Sequence, residues 1–525
     1  MPFAQSLLLT IYYGLLGLVS AVMLYRAFLI VRYLRHPRGD PAPASRFEQV
    51  PVVTVQLPVF NERFVVERLI DAVCALRWPR DRLEIQVLDD STDDTKEIAA
   101  AKVAAMRAQG FDVVHLHRVD RSGYKAGALA AAMPKARGDL LAVFDADFVP
   151  EADFLEKTVD YFTDVNVGFV QTRWTYLNRG YGMLTQGMGM LMDGHFVLEQ
   201  VTRSRGGYVF NFNGTGGIWR RQAIEAAGGW DADTICEDTD LSYRTYLAGY
   251  RGVFLRDVEC PSELPVQITA LKSQQHRWAK GLTECFLKII PQLWRSPLSL
   301  RQKLEGTFHL GANLAFPASL FMTVVALPVM LVRIGLGSDG ANLAQLVDSF
   351  VFLLVIVTQV LFYVVATREA HPGDWVRRLR FLPFFPLVGV GLAVNNARGV
   401  LEALGGLKTE FVRTPKLGVL GDDKKLVRKR ERSYTGGRDM WQAVIEIGLG
   451  LYYVFMAAVQ SRHMAMGAVV TGVLSLGLFT MGGATLRALW IRHQARREAL
   501  AEAAQSPVVR ASLAETVPEE LPAGV

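Results

Sequence analysis

Cysteine is scarce. The 525 residues contain four, Cys74, Cys236, Cys260 and Cys285. None is close enough to another for a C-x-x-C metal clip, and they do not form a disulfide pattern. They read as reduced thiols on a cytosolic face. Neither sign of charge dominates: 57 Lys and Arg stand against 51 Asp and Glu, a net +6, and no nucleic-acid partner is expected. A G-x-x-x-x-G-K-[ST] loop is absent, which removes the P-loop NTPases, and no internal repeat is apparent. Apolar residues, in contrast, are abundant. Half of the residues are hydrophobic while 21% are charged, and mean hydropathy is +0.19. Such values describe a charged domain joined to very apolar segments, and the length allows two or three units.

The apolar material lies at both ends. Residues 6–33 hold a run long enough to span a bilayer, which takes about 20 residues, and too long for a signal-peptide core. Arg32, Arg35, Arg38 and Arg46 follow it and no charge precedes it, so the positive-inside rule puts the N-terminus outside and residue 40 onward in the cytoplasm. Four more spans are expected within 306–490, at 308–332, 346–366, 440–459 and 465–489. Residues 381–404 are apolar too but carry Pro383, Pro386, Asn395, Asn396, Arg398 and Glu402, which suits an interfacial or re-entrant helix. With that helix not crossing, the basic stretches 368–380 and 422–438 both fall inside, as does the basic end around Arg487 to Arg497. Residues 499–525 mix acids and prolines without a clear apolar period and are expected to be disordered.

Between the apolar ends, residues 50–300 read as an α/β domain. Apolar runs at 52–57, 83–88, 112–116 and 140–144 alternate with helical patterns such as 65–76 and 94–108, implying a mostly parallel sheet. Ligands of such sheets gather beyond the strand ends, and acids follow three of these strands. The run Leu140 to Phe144 ends in Asp145-Ala146-Asp147. Two carboxylates so close repel unless a divalent cation shares them, and hard oxygen ligands suit Mg²⁺ or Mn²⁺. Glu62, after the first strand, can meet a nucleotide base or ribose; its plainer role is an acid favoured by a helix N-terminus. Asp89 and Asp90 follow the second strand, and one of them can accept from a base or ribose, while Asp93 or Asp94 suits a helix cap. Lys125 sits between Gly123 and Gly127 at a helix start, a combination of backbone amides and ammonium that suits a diphosphate. Polar-aromatic stretches at 171–174 and 212–220 suit sugar rings. Glu237 and Asp238 open another helix, where a carboxylate beside a sugar hydroxyl can take its proton as the bond forms, or serve only as a cap. Gln274, Arg277 and Trp278 share one helical face at i, i+3 and i+4; the arginine can clamp a diphosphate and the tryptophan can stack on a sugar.

The ordered set D-D, D-x-D, E-D and Q-x-x-R-W between apolar helices resembles the processive, membrane-embedded family 2 glycosyltransferases, which include cellulose, hyaluronan and mannan synthases. VQLPVFNE, QVLDDSTDDT, GYKAGAL, FDADF and FNGTGGIWR look most like the plant cellulose-synthase-like proteins that make glucomannan or xyloglucan backbones. The resemblance runs from about Val53 to Lys416. It implies a GT-A-type catalytic domain, Rossmann-like with a mostly parallel sheet, inserted in an α-helical transmembrane bundle. It further implies a nucleotide-sugar donor, UDP-glucose or GDP-mannose, held near Glu62 and Asp89 or Asp90, with the metal on Asp145 and Asp147. Lys125 and Arg277 would add counter-charge, Asp238 would be the base, and Trp278 would hold the acceptor, a growing polysaccharide. The family's gating loop, F-x-V-T-x-K, is matched by residues 411–416, with Arg413 in place of the expected valine and Thr414 and Lys416 available to meet the diphosphate. The product implied is a β-linked glucan, mannan or glucomannan, with β-1,4 the implied linkage, extruded across a plasma (cytoplasmic) membrane or endomembrane. Two other readings are a non-processive enzyme that glycosylates a membrane lipid and a transporter or scaffold without catalysis. The gate-like 411–416 stretch and the four C-terminal spans argue against the first. The intact acid clusters argue against the second.

Overall fold

Seven strands form one sheet: β1 (Val53–Val59), β2 (Leu83–Asp89), β3 (Val113–His117), β4 (Leu140–Val143), β5 (Val167–Tyr176), β6 (Gly217–Arg220) and β7 (Arg251–Ser262). The computed structural model describes residues 3–36, 39–335, 338–409, 414, 416–419, 430, 440–461 and 465–505. The sheet order is β3-β2-β1-β4-β6-β5-β7. β1, β2, β3 and β4 pair in parallel, as the alternation with helices implies, and β6 is antiparallel to both β4 and β5. Every residue of β2 and β4 is buried, as strands covered on both faces require.

The chain leaves β1 toward β2 and returns to β4 on the other side of β1, so the carboxyl ends of β1 and β4 flank the switch point where α/β sheets bind ligands. A proline helps to open that crevice. Gln56 O still accepts from Phe144 N at 3.2 Å, but Pro58, two residues on and facing the same side, has no N–H to offer. The β1–β4 ladder therefore stops there, while β1 continues beside β2 as far as Val59 and Asp89.

One face of the sheet is closed by the helices Val66–Cys74 and Thr95–Ala108, around Val55, Leu57, Ile85, Phe144 and Phe154. The core on the other face contains Leu141, Val143, Phe169, Trp219 and Phe254 and continues without a break into Leu29, Tyr33, Phe362 and Ala366. The catalytic-type sheet is thus seated directly on the apolar helices. Among the described residues, five helices are long and apolar enough to cross a membrane: Phe3–Arg35, Leu300–Arg333, Leu346–Ala370, Met440–Gln460 and Ala468–Ile491. The expected interfacial segment is the helix Phe384–Leu404. It packs on Ile268–Arg295, which carries the Q-x-x-R-W residues, and on the last helix. That last helix runs to Gln505, past residue 499 where disorder was expected, because its Ala- and Glu-rich end favours helix. Residues 506–525 lie outside the described residues, as do 411–413 and 415 of the gate-like stretch.

Candidate active site

The acid pair begins where β4 ends. Phe144 is fully buried in the core, so the chain turns at Asp145, whose N–H donates to Thr215 Oγ1 at 2.8 Å. Lys125 Nζ reaches Asp145 Oδ1 at 2.6 Å and the Gly214 carbonyl at 2.8 Å. Lys416 Nζ bonds to the Asp147 carboxylate. Burial alone would lower Lys125, yet the Asp145 and Glu237 carboxylates outweigh it and hold the ammonium above its ordinary range. Each acid of the D-x-D pair therefore faces a positive charge across a shared cavity. That is the charge distribution a divalent cation would take over, and two hard carboxylates one small residue apart fit Mg²⁺ or Mn²⁺.

The cavity has a volume of about 520 Å³. Glu62, Asp90, Lys125, Asp145, Asp147, Glu237, Asp238, Gln274, Arg277, Trp278, Thr414 and Lys416 all line it. These residues span more than 350 positions of sequence and are brought together by the ends of β1, β2 and β4, two helix starts and the 268–295 helix. Asp89 is the exception and corrects the sequence reading. It is fully buried; its carboxylate accepts from Ser91 N at 2.8 Å and meets His115 Nε2 at 2.9 Å. Burial would raise it, but these partners win and hold it below the usual carboxylate range. Asp89 thus ties β2 to β3, and Asp90, the next residue, turns into the cavity. Arg118 grips Asp90 bidentately at 2.8 and 2.6 Å, which fixes the carboxylate as a rigid acceptor. Beside it the Arg121 guanidinium lies 3.4 Å over the Phe60 ring.

On the opposite wall, Glu237 and Asp238 start the helix Glu237–Leu247. Burial and the charge of Glu237 push Asp238 up to about 7, and burial raises Glu237 also. A side chain at Gly214 would sit 3.2 Å from Asp238 Oδ2 and 3.5 Å from Lys125 Nζ, and the residue has φ +85°. Glycine there lets the backbone pass between the base candidate and the lysine. Asp240, in contrast, is fully buried and held by Arg244 and Lys288, a structural role. Arg277 Nη2 donates to Thr414 Oγ1 at 2.7 Å.

The two polar-aromatic stretches divide. Trp174 and Asn213 line the cavity, but Trp219 is core and Gln171 is buried against the carbonyls of Thr172, Thr215 and Gly216. Sequence reasoning missed His195 and Glu199. They stand in Gly194–Gln200, a π-helical segment following the helix Met183–Asp193, and both line the cavity. Their i, i+4 spacing in a methionine-rich apolar run was the available signal.

A family model described as "Glycosyltransferase like family 2" matches residues 51–281. Glucomannan 4-beta-mannosyltransferase 9 of Arabidopsis thaliana is 34% identical over 427 residues, 77% of this chain and 75% of that protein. The chain belongs to the cellulose synthase-like family 2 glycosyltransferases. Glucomannan 4-beta-mannosyltransferase 1 of Oryza sativa subsp. japonica is 40% identical over 283 residues, 53% of this chain, so this glycosyltransferase spans about half (54%) of that relative's length. A solved mannosyltransferase, PcManGT from Pyrobaculum calidifontis in complex with GDP-Man and Mn2+, covers 70% of this chain and 99% of its own at 23% identity, with a TM-score of 0.50. At that identity the likeness speaks for the GT-A fold of this glycosyltransferase and for nothing finer.

Proposed function

We propose that this glycosyltransferase polymerises a β-linked mannan or glucomannan from GDP-mannose, with UDP-glucose as the other donor of the same reading, and passes the polymer through its apolar helices. The observation that carries the proposal is the shared cavity. The acids and the Q-x-x-R-W residues line it together with Arg26, Asn313, Phe316 and Phe362 of the membrane-type helices. A polar chain lengthened at Trp278 therefore has walls to follow toward the bilayer.

The residues have complementary work. Asp90, held by Arg118, accepts hydrogen bonds from the nucleoside. Lys125, Arg277 and Lys416 supply positive charge for the diphosphate as its negative charge grows on departure. Asp145 and Asp147 would hold Mg²⁺ or Mn²⁺, which neutralises the leaving diphosphate when bound. Trp278 stacks on the terminal acceptor sugar. Asp238, as the carboxylate, takes the proton from the acceptor hydroxyl while that oxygen attacks the anomeric carbon in line. The attack inverts the centre, so an α-linked donor gives a β-linked product.

The test is nucleoside-diphosphate release by the purified full chain with Mg²⁺ or Mn²⁺, given GDP-mannose, UDP-glucose and UDP-N-acetylglucosamine separately. Products are then digested with linkage-specific glycosidases. Long β-mannanase-sensitive polymer from GDP-mannose is expected. Transfer of one sugar to added lipid, without polymer, would replace this reading by the lipid-acceptor one.

A further inference from the structure

The helix Met440–Gln460 carries one charged residue, Glu446, which is fully buried. Lys272 Nζ reaches its two carboxylate oxygens at 2.7 and 2.8 Å and donates to Thr485 Oγ1 at 2.7 Å. Lys272 is itself 1% exposed, and Asn395 Nδ2 donates to its carbonyl at 2.9 Å. Three helices that pack on one another, Phe384–Leu404, Met440–Gln460 and Ala465–Gln505, therefore converge on one residue of Ile268–Arg295. A charge within a spanning helix is expensive and marks a functional demand. Well-packed apolar residues would stabilise the same contact at least as well, so stability does not explain the pair.

Its position does. Lys272 precedes Gln274 by two residues and Arg277 and Trp278 by five and six on the same helix. Each residue of helix advances about 1.5 Å and turns about 100°. An apolar face can settle into several such registers, whereas an ammonium with three short bonds fits one. We propose that the last two spans act as a clamp, in which Lys272, Glu446 and Thr485 set the register and rotation of the catalytic helix. They are positioning residues and touch no substrate. The inference rests on the function proposed above for Arg277 and Trp278.

The test uses the full chain in lipid nanodiscs with three changes: Glu446→Gln, the apolar pair Lys272→Met with Glu446→Leu, and the swap Lys272→Glu with Glu446→Lys. A misplacement of about 1 Å at a reacting centre costs on the order of 100-fold. Glu446→Gln and the apolar pair should therefore lose about 100-fold in kcat. Donor KM should stay within about threefold, because Asp90, Lys125 and Asp145 are untouched. The swap should recover most of kcat, since the Thr485 hydroxyl can donate to a glutamate as readily as it accepts from a lysine. An apolar pair that turns over like the parent, or a folded swap as slow as the single change, would overturn the clamp. Hydrogen exchange at residues 272–280 gives an arm independent of turnover. It should quicken about tenfold in Glu446→Gln and return in the swap; unchanged exchange also overturns the clamp. A parent chain that turns over no donor would sink the proposed function alone, and the exchange arm would still decide this one.

Discussion

Asp238 has the attributes of a base at working pH. It is half-buried at a helix start, faces Lys125 across Gly214, and desolvation with the charge of Glu237 pushes it up to about 7. A base works as the carboxylate, so its active fraction grows as pH rises through that value. Turnover at low donor should climb about tenfold between pH 6 and 8 and then level. Asp238→Asn keeps the shape and removes the proton acceptor; kcat should fall by about 10²- to 10⁴-fold with donor binding retained. A flat profile, or an active Asp238→Asn protein, would remove the assignment. The D-x-D pair makes a second case. Chelation of divalent ions should abolish turnover and added Mg²⁺ or Mn²⁺ should restore it. Asp145→Asn should raise the metal concentration needed by at least about tenfold to 100-fold, measured by titrating metal at fixed donor. Asp89 marks where residue-level reading stops. Neighbouring residues at a strand end point opposite ways, so which of two adjacent acids meets the cavity depends on where β3 brings His115.

At the scale of elements, the helix Ile268–Arg295 is used on three sides. Gln274, Arg277 and Trp278 face the cavity, and Lys272 and Asn395 meet on another side. Gly281, Glu284, Cys285 and Lys288 form a stripe at i, i+3, i+4 and i+7 against residues 231–240. Glu284 accepts from Ile235 N at 2.8 Å, and Lys288 Nζ lies 2.7 to 3.0 Å from Asp231, Asp233 and Asp240. This trio of acids is thus already filled by an ammonium. A Cβ on Gly281 would come within 2.3 Å of Cys236 Sγ, two residues from Asp238. Gly281→Val should push that loop outward, cost about 1–3 kcal/mol in thermal stability, and reduce kcat more than donor KM. An unchanged melting temperature and rate would show that the close approach is dispensable. The Q-x-x-R-W face was legible because helical spacing alone puts those side chains together. The 281–288 stripe was not, since its partner loop lies 45 to 57 residues upstream. The His195 and Glu199 pair was hidden for another reason: a π-helical turn departs from the 3.6-residue period that sequence patterns test.

At the scale of the whole molecule, we propose a threading in which both flanks of Phe384–Leu404 stay on the side of the catalytic domain. Tyr33 bonds Glu369, and Asp193 meets His371 at 3.1 Å, so the chain is beside the catalytic domain after both Phe3–Arg35 and Leu346–Ala370. It is beside that domain again at Thr414 and Lys416 through Arg277 and Asp147. Both flanks of Phe384–Leu404 thus touch one domain, as the flanks of an interfacial helix would. Arg32, Arg35, Arg377, Arg378 and Arg380 would then share that side, as the positive-inside rule asks of the cytoplasm. In that threading Met440–Gln460 would cross once and leave Ser461 outside. Native thiols will interfere little, since Cys74, Cys260 and Cys285 are buried and Cys236 is partly so. In intact cells a membrane-impermeant maleimide should label Ser461→Cys at once, and Gly373→Cys only after permeabilisation. Labelling of both without permeabilisation would mean that Phe384–Leu404 and the spans around it are threaded differently. A donor made in the cytoplasm would then have no route to Asp145 and Asp147.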